Sequence, residues 1–217
     1  MGNNRIWSLM ADDKNQLWIG TDNGIAIINT QTDEFENYFE KHSSLAKLKG
    51  NKVLSIFQES SAIFWFGTSD GVVRYDSGND KYELFSHSAT QNSLSNNVVI
   101  SIFKDHNKNI WLGTLDGLNK FNTETNSFTS YFFKEKIFSE KNMLRQNPEN
   151  IFSIVNNYGG NTIRCIYEDE EGFFWIGTDM ELIILNPSDG KYINYKKDLI
   201  NPTGINDHFI RSVFRDN

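Results

Sequence analysis

Short apolar runs separated by polar turns recur along this chain, and the order of the runs repeats. Ile6-Trp7-Ser8-Leu9, Val53-Leu54-Ser55-Ile56-Phe57, Val98-Val99-Ile100-Ser101-Ile102-Phe103 and Ile163-Arg164-Cys165-Ile166-Tyr167 open four units. Each run is short, β-branched and aromatic, which favours strand over helix. A polar turn follows at 12–16, 59–62, 105–109 or 169–172. Then comes a second strand built on Trp18-Ile19-Gly20-Thr21, Trp65-Phe66-Gly67-Thr68, Trp111-Leu112-Gly113-Thr114 or Trp175-Ile176-Gly177-Thr178. The tryptophans are 47, 46 and 64 residues apart, and self-similarity at such a period marks a modular array.

The second strand of each of the first three units ends in Asp22-Asn23-Gly24, Asp70-Gly71 or Asp116-Gly117, strong hairpin signals because Gly accepts positive φ. Glu181 stands where the others have Gly and predicts a different turn at Asp179-Met180-Glu181. A third strand runs through 25–28, 72–75, 118–121 or 182–185. A fourth carries paired aromatics, Phe35 and Tyr38, Tyr82 and Phe85, Phe128 and Tyr131, Tyr192 and Tyr195, always 17 and 20 residues after Trp. Ser8, Ser55, Ser101 and Cys165 lie ten residues before their Trp. A small residue at a fixed place predicts something large packed over it, with the Trp of the same or an adjoining unit as the candidate.

The pattern predicts an all-β chain of four-stranded antiparallel meanders, at 4–38, 51–85, 97–131 and 161–195. One such sheet has two apolar faces and cannot stand alone. Radial stacking gives a β-propeller, and a linear stack of sheets is the rival. The linkers 42–50 and 86–96 read as polar, and 132–160 as an inter-blade insertion in which Asn150 to Val155 reads as an extra strand or short helix. Residues 206–217 match the first strand of a fifth unit, with Ser212 in register 47 residues after Cys165. The expectation is a β-propeller fragment, four full blades plus one opening strand, cut from a longer array whose remaining blades would be its partners.

Composition narrows the function. The chain has 217 residues, 38% of them hydrophobic, enough for a sizeable core. A net charge of −7 without a basic cluster argues against nucleic acid. No apolar run approaches a membrane span, so no membrane contact is expected of this segment. Cys165 is the only cysteine and reads as a small buried residue rather than a nucleophile. Asp105-x-Asn107-x-Asn109 resembles the start of a calcium loop but lacks the following Gly, and the four His have no metal spacing; neither metal nor cofactor is expected.

The repeated tryptophans Trp18, Trp65, Trp111 and Trp175 read as core packing, so function is sought in the departures from the repeat. Turns and linkers share one face of a propeller, which would hold Asp22, Asp70, Asp116 and Arg145 of the insertion. At the mouths of the first strands, Arg5 and Lys52 share a register with Val98, Thr162 and Phe209, and Arg164 and Arg211 replace Trp7, Leu54 and Ile100 one step on. Arg5, Lys52, Arg164, Arg211, Arg145, Asp70 and Asp116 are the candidate ligand residues. The arginines are suited to a ligand's hydroxyl or carboxylate groups and equally to linker carboxylates or a neighbouring blade.

The text from Asp105 to Tyr131, with Trp-Leu-Gly-Thr, Asp-Gly, Asn-x-x-Thr and Phe-x-x-Tyr, together with Asn92-Ser93-Leu94-Ser95-Asn96-Asn97, resembles the two-component regulator propeller repeat. The resemblance covers nearly all of the chain except 132–160. It implies the periplasmic sensor region of a hybrid two-component histidine kinase of Bacteroidetes, a family that commonly senses oligosaccharides. Kinase modules are absent from these residues, so the segment is expected to be non-catalytic. Two other readings stay open: a propeller for protein–protein contact, including homodimerisation, and a propeller lyase or hydrolase. The latter needs converging acid–base groups.

Overall fold

The computed structural model describes residues 5–36, 43–48, 50–90, 92–133, 161–196, 205 and 209–216. Among the described residues, sixteen strands form four antiparallel four-stranded meanders. The first sheet holds β1 (Ile6–Ala11), β2 (Gln16–Thr21), β3 (Gly24–Asn29) and β4 (Phe35–Glu36); the second β5 (Val53–Gln58), β6 (Ile63–Thr68), β7 (Gly71–Asp76) and β8 (Lys81–Phe85). The third holds β9 (Val99–Lys104), β10 (Ile110–Thr114), β11 (Gly117–Asn122) and β12 (Ser127–Tyr131); the fourth β13 (Ile163–Glu168), β14 (Phe174–Thr178), β15 (Glu181–Leu185) and β16 (Tyr192–Lys196). The opening strands β1, β5, β9 and β13 touch in succession, so the sheets pack face to face in chain order, as propeller blades do.

Each motif residue has a defined task. The indole N–H of Trp18, Trp65, Trp111 and Trp175 donates to the carboxylate six residues earlier, that of Asp12, Glu59, Asp105 or Asp169, at 2.7–2.9 Å. In three of the four the same carboxylate closes the turn before the Trp strand: Asp12 accepts from the Gln16 amide, Asp105 from Asn109 and Asp169 from Phe173. Asp105, which begins the calcium-like text, is thus buried and holds Trp111 Nε1 and Asn109. Asp105→Asn, which removes the charge from these bonds, is expected to lower stability by about 1–2 kcal/mol, measured by urea unfolding.

The Thr after each Gly clips the next turn. Its hydroxyl donates to the carbonyl three residues on, that of Gly24, Gly71, Gly117 or Glu181, at 2.8–3.0 Å. Gly24, Gly71 and Gly117 adopt φ of 97°, 120° and 111°, and their amides donate to Asn51, Asn97 and Asn161 at the start of the following blade. Glu181 fills that place without the left-handed φ, and its amide turns back to Thr178 Oγ1. Its buried carboxylate accepts from Asn194 Nδ2 at 2.7 Å and faces Lys196.

The tryptophans pack between blades. Trp18 stacks on Phe64 of the next sheet at 4.5 Å between ring centroids, and Trp111 meets Phe174 edge-on at 5.0 Å. Trp65 meets Phe121 at 5.0 Å and lies in one cluster with Ile110 and Leu112. Trp18, Trp65 and Trp111 are buried, whereas Trp175, on the face beyond the fourth sheet, is half-buried.

Two expectations change. The small residue of each opening strand is not covered by Trp. Ser55 lies opposite Gly67 and beside the Val99 carbonyl of the next blade; Ser8, Ser101 and Cys165 repeat the arrangement with Gly20, Gly113 and Gly177. The small pair exists so that two backbones can approach, not to seat an indole. The linkers are also not merely polar. Leu45 and Leu48, on a 3-10 turn at Ser43–Leu48, are buried in the first core, Leu94 in the second and Phe133 in the third. One or two apolar residues in polar text carry too little periodicity to be seen as core.

Residues 209–216 have no assigned strand, yet Ile210 sits against Gly177 as Val53 does against Gly20, and its amide donates to the Thr178 carbonyl at 2.9 Å. Arg145, Tyr38, His208 and the 150–155 text lie outside the described residues.

Candidate functional site

A β-bulge recurs in each opening strand. Register shifts fall between Ile6 and Ser8, Val53 and Ser55, and Ile163 and Cys165; in the third sheet Gly113 faces Ser101 while Thr114 faces Val99. The extra residues are Trp7, Leu54, Ile100 and Arg164. A bulge leaves one residue unpaired and re-aims its side chain. Each blade therefore displays one side chain beside the turn that follows its Trp strand.

The sequence varies at this displayed position, and the turn residue opposite varies with it. In the first blade the Trp7 indole N–H donates to Asp22 Oδ1 at 2.7 Å. In the fourth, Arg164 grips Asp179 through Nε and Nη2 at 2.6 and 2.8 Å. The two middle blades place Leu54 and Ile100 with Ser69 and Leu115 in the equivalent places. The bonds to Asp179 raise the Arg164 pKa further, despite partial burial. Arg164→Ala is expected to cost about 0.5–1 kcal/mol, the scale of a half-exposed ion pair, in thermal unfolding.

Arg5 and Lys52 come together. The Arg5 guanidinium carbon lies 5.2 Å, and Lys52 Nζ 5.9 Å, from the centroid of the Trp7 ring. Trp7 itself is 41% exposed. The other candidates are dispersed. Arg164 is on the fourth sheet, committed to Asp179. Arg211 is exposed next to Ile210. Asp70 is exposed and Asp116 half-buried, each at a hairpin tip where its amide donates to the preceding Thr. Trp7 is not among the sequence candidates because an aromatic in an apolar strand reads as packing; only the bulge turns it outward. Burial pushes the half-buried Cys165 thiol above its ordinary pKa, which disfavours the thiolate.

Among the described residues no group of three or more His, Cys, Asp or Glu is arranged to hold a metal ion, and no helix is long and apolar enough to cross a membrane.

Comparison with known proteins agrees with this architecture. The two-component regulator propeller model matches residues 1–23, 93–116 and 157–180, each an opening-strand and Trp-strand unit. No curated protein matches the sequence. Two solved structures from B. thetaiotaomicron, described as extracellular domains of the hybrid two component systems BT3049 and BT4673, share the fold. BT3049 superposes with a TM-score of 0.72 at 20% identity, over 100% of this chain and 25% of that one. BT4673 gives 0.68 at 20% identity, over 99% of this chain and 31% of that one. U3-55K gives 0.55 at 8% identity, over 90% and 53%. The chain thus spans about a quarter to a third of the first two proteins. It is an all-β array of propeller blades, three of whose units match the two-component regulator propeller model.

Proposed function

We propose that this chain is a propeller segment of the periplasmic region of a hybrid two-component sensor, that its ligand is an oligosaccharide, and that it is non-catalytic by itself. The observation that carries the reading is the display of Trp7 at a blade mouth. It is an exposed indole fixed by Asp22 and flanked by the charged side chains Arg5 and Lys52. An aromatic face beside polar groups suits a sugar, which offers apolar C–H faces and hydroxyls. Signalling would follow from unequal ligand affinity for two receptor arrangements, because equal affinity shifts no population. The rigid inter-blade packing around Trp18, Trp65 and Trp111 suits such transmission.

The test is a melting-midpoint screen of the chain against a panel of neutral and acidic oligosaccharides. A ligand at about 100 times its Kd stabilises the folded state by about 2.7 kcal/mol, a rise of roughly 5–10 °C for a chain of this size. The absence of any rise, together with no heat of binding by calorimetry, would overturn the oligosaccharide reading.

A second reading, a surface for protein contact, rests on a different observation. Ile6 and Leu9 on the first sheet are 56% and 60% exposed, and Ile193 and Tyr195 on the fourth 55% and 48%. Val53, Val99 and Ile163, the counterparts of Ile6, are wholly buried against the preceding blade. Further blades or a second copy of the chain are the natural occupants. Light scattering across a concentration series distinguishes a dimer from a monomer.

A further inference from the structure

We infer that the mouth at Trp7 selects an oligosaccharide bearing an acidic substituent, a carboxylate or sulfate, held between Arg5 and Lys52. The inference rests on the oligosaccharide reading above and names the class of sugar.

Three observations point the same way. The two cations come from adjoining blades, Arg5 just before β1 and Lys52 just before β5, and converge on one indole at 5.2 and 5.9 Å. In the same register the third and fourth blades carry Val98 and Thr162, the latter buried and bonded to the Leu115 carbonyl. The convergence is therefore peculiar to the first inter-blade mouth, in a chain whose net charge is −7.

Second, among the described residues neither cation is paired with a carboxylate. By contrast, Arg74, Arg164, Lys191, Lys196 and Arg215 each face one. Third, Asp22, the carboxylate beside the cluster, accepts the Trp7 indole N–H at 2.7 Å. That bond sets the ring plane, and the ring in turn holds the two cations through its electron-rich face. Part of the ordering cost of two long side chains is thereby met before a ligand arrives. An anion able to accept from a guanidinium and an ammonium together would add charge-assisted bonds to both. A sugar ring attached to that anion would lie beside the half-exposed indole.

The experiment uses the 217-residue chain and paired probes. These are a uronic-acid tetrasaccharide and its carboxyl-reduced neutral counterpart, a sulfated tetrasaccharide and its desulfated counterpart, and sodium sulfate alone. Calorimetry is run in low and high salt on the native chain, on the Arg5→Gln/Lys52→Gln double variant and on Arg215→Gln as a control. The expected result is that one acidic member binds at least about ten-fold more tightly than its neutral counterpart in low salt. The preference should shrink in about 0.5 M salt as the exposed charges are screened. The double variant should lose it while melting normally, and Arg215→Gln should retain it. Equal binding of acidic and neutral members would overturn this inference and leave the oligosaccharide reading standing. Binding of no sugar by the folded chain would overturn both. Sulfate alone binding as tightly as the acidic sugars would reduce the site to a simple anion pocket and overturn the selection of a sugar.

Discussion

Trp65→Ala is expected to destabilise the chain by about 3–5 kcal/mol, while Asp70→Ala, five residues away, changes stability by less than about 0.5 kcal/mol. Trp65 is fully buried and meets Phe121 of the next blade at 5.0 Å and Phe85 at 6.2 Å. Its indole N–H donates to Glu59 at 2.7 Å, and Arg74 lies over its ring. Truncation empties the junction between two sheets and strips a carboxylate of its donor. Asp70 stands exposed at a hairpin tip that Thr68 and Gly71 define through backbone bonds. Trp175→Ala gives an internal scale. Trp175 makes the equivalent bond to Asp169, but truncating its half-buried ring should cost clearly less than truncating that of Trp65. Chemical unfolding of the three variants measures the order, and equal losses for Trp65→Ala and Asp70→Ala would undo the packing assignment.

Gly67→Ala is expected to cost about 3 kcal/mol, the upper part of the range for overpacking, although it adds only one methyl. A Cβ at that position would lie 2.7 Å from the Val99 carbonyl of the next blade and 2.2 Å from Ser55 Oγ. The hydroxyl can rotate away; the carbonyl belongs to a strand fixed in a neighbouring sheet. Gly78→Ala, at an outer turn where a Cβ would meet only Asp76 Oδ1 at 3.3 Å, should be close to neutral. Urea midpoints of the pair decide the point. A mild Gly67→Ala would mean that the blades are less closely apposed than the contacts imply.

The repeat was legible because its determinants are local. Trp-x-Gly-Thr, the Gly of the hairpin and the fixed aromatics each encode one feature of a meander in a few residues, and they set the number and order of strands. Glu181 announced its departure in the same way, as one wrong residue in a known slot. The six-residue spacing from Asp12, Glu59, Asp105 and Asp169 to Trp was present in the text, but its meaning, a carboxylate that holds the indole and in three of the four also closes a turn, emerges only from three-dimensional bonding. Contacts between blades were not legible. Trp18 reaching Phe64, and Ser55 facing a backbone carbonyl, depend on how separate sheets stack. Leu45 and Leu94 entered the core from linkers too short to show a pattern.

The site divides along the same line. Arg5 and Lys52 stood out as charges in an apolar register, and the structure sets both against Trp7. Trp7 stayed hidden because a bulge, which shifts register by one residue, leaves no local signature in sequence. Arg164 also stood out by its charge, but its partner is Asp179, fifteen residues on, which the hairpin brings opposite. A polar residue at a bulge is thus satisfied by its own turn in the fourth blade, while the first blade presents an exposed aromatic.

Trp18, Trp65 and Trp111 pack between blades, whereas the bulged Trp7 is proposed to contact the ligand. The most direct test is to measure Trp7→Ala in the oligosaccharide melting screen beside the native chain. The expected result is a ligand-free midpoint within about 2 °C of native, because an exposed side chain contributes little to stability, and loss of the ligand-induced rise. A rise that persists undiminished in Trp7→Ala would place the ligand elsewhere and contradict the assignment.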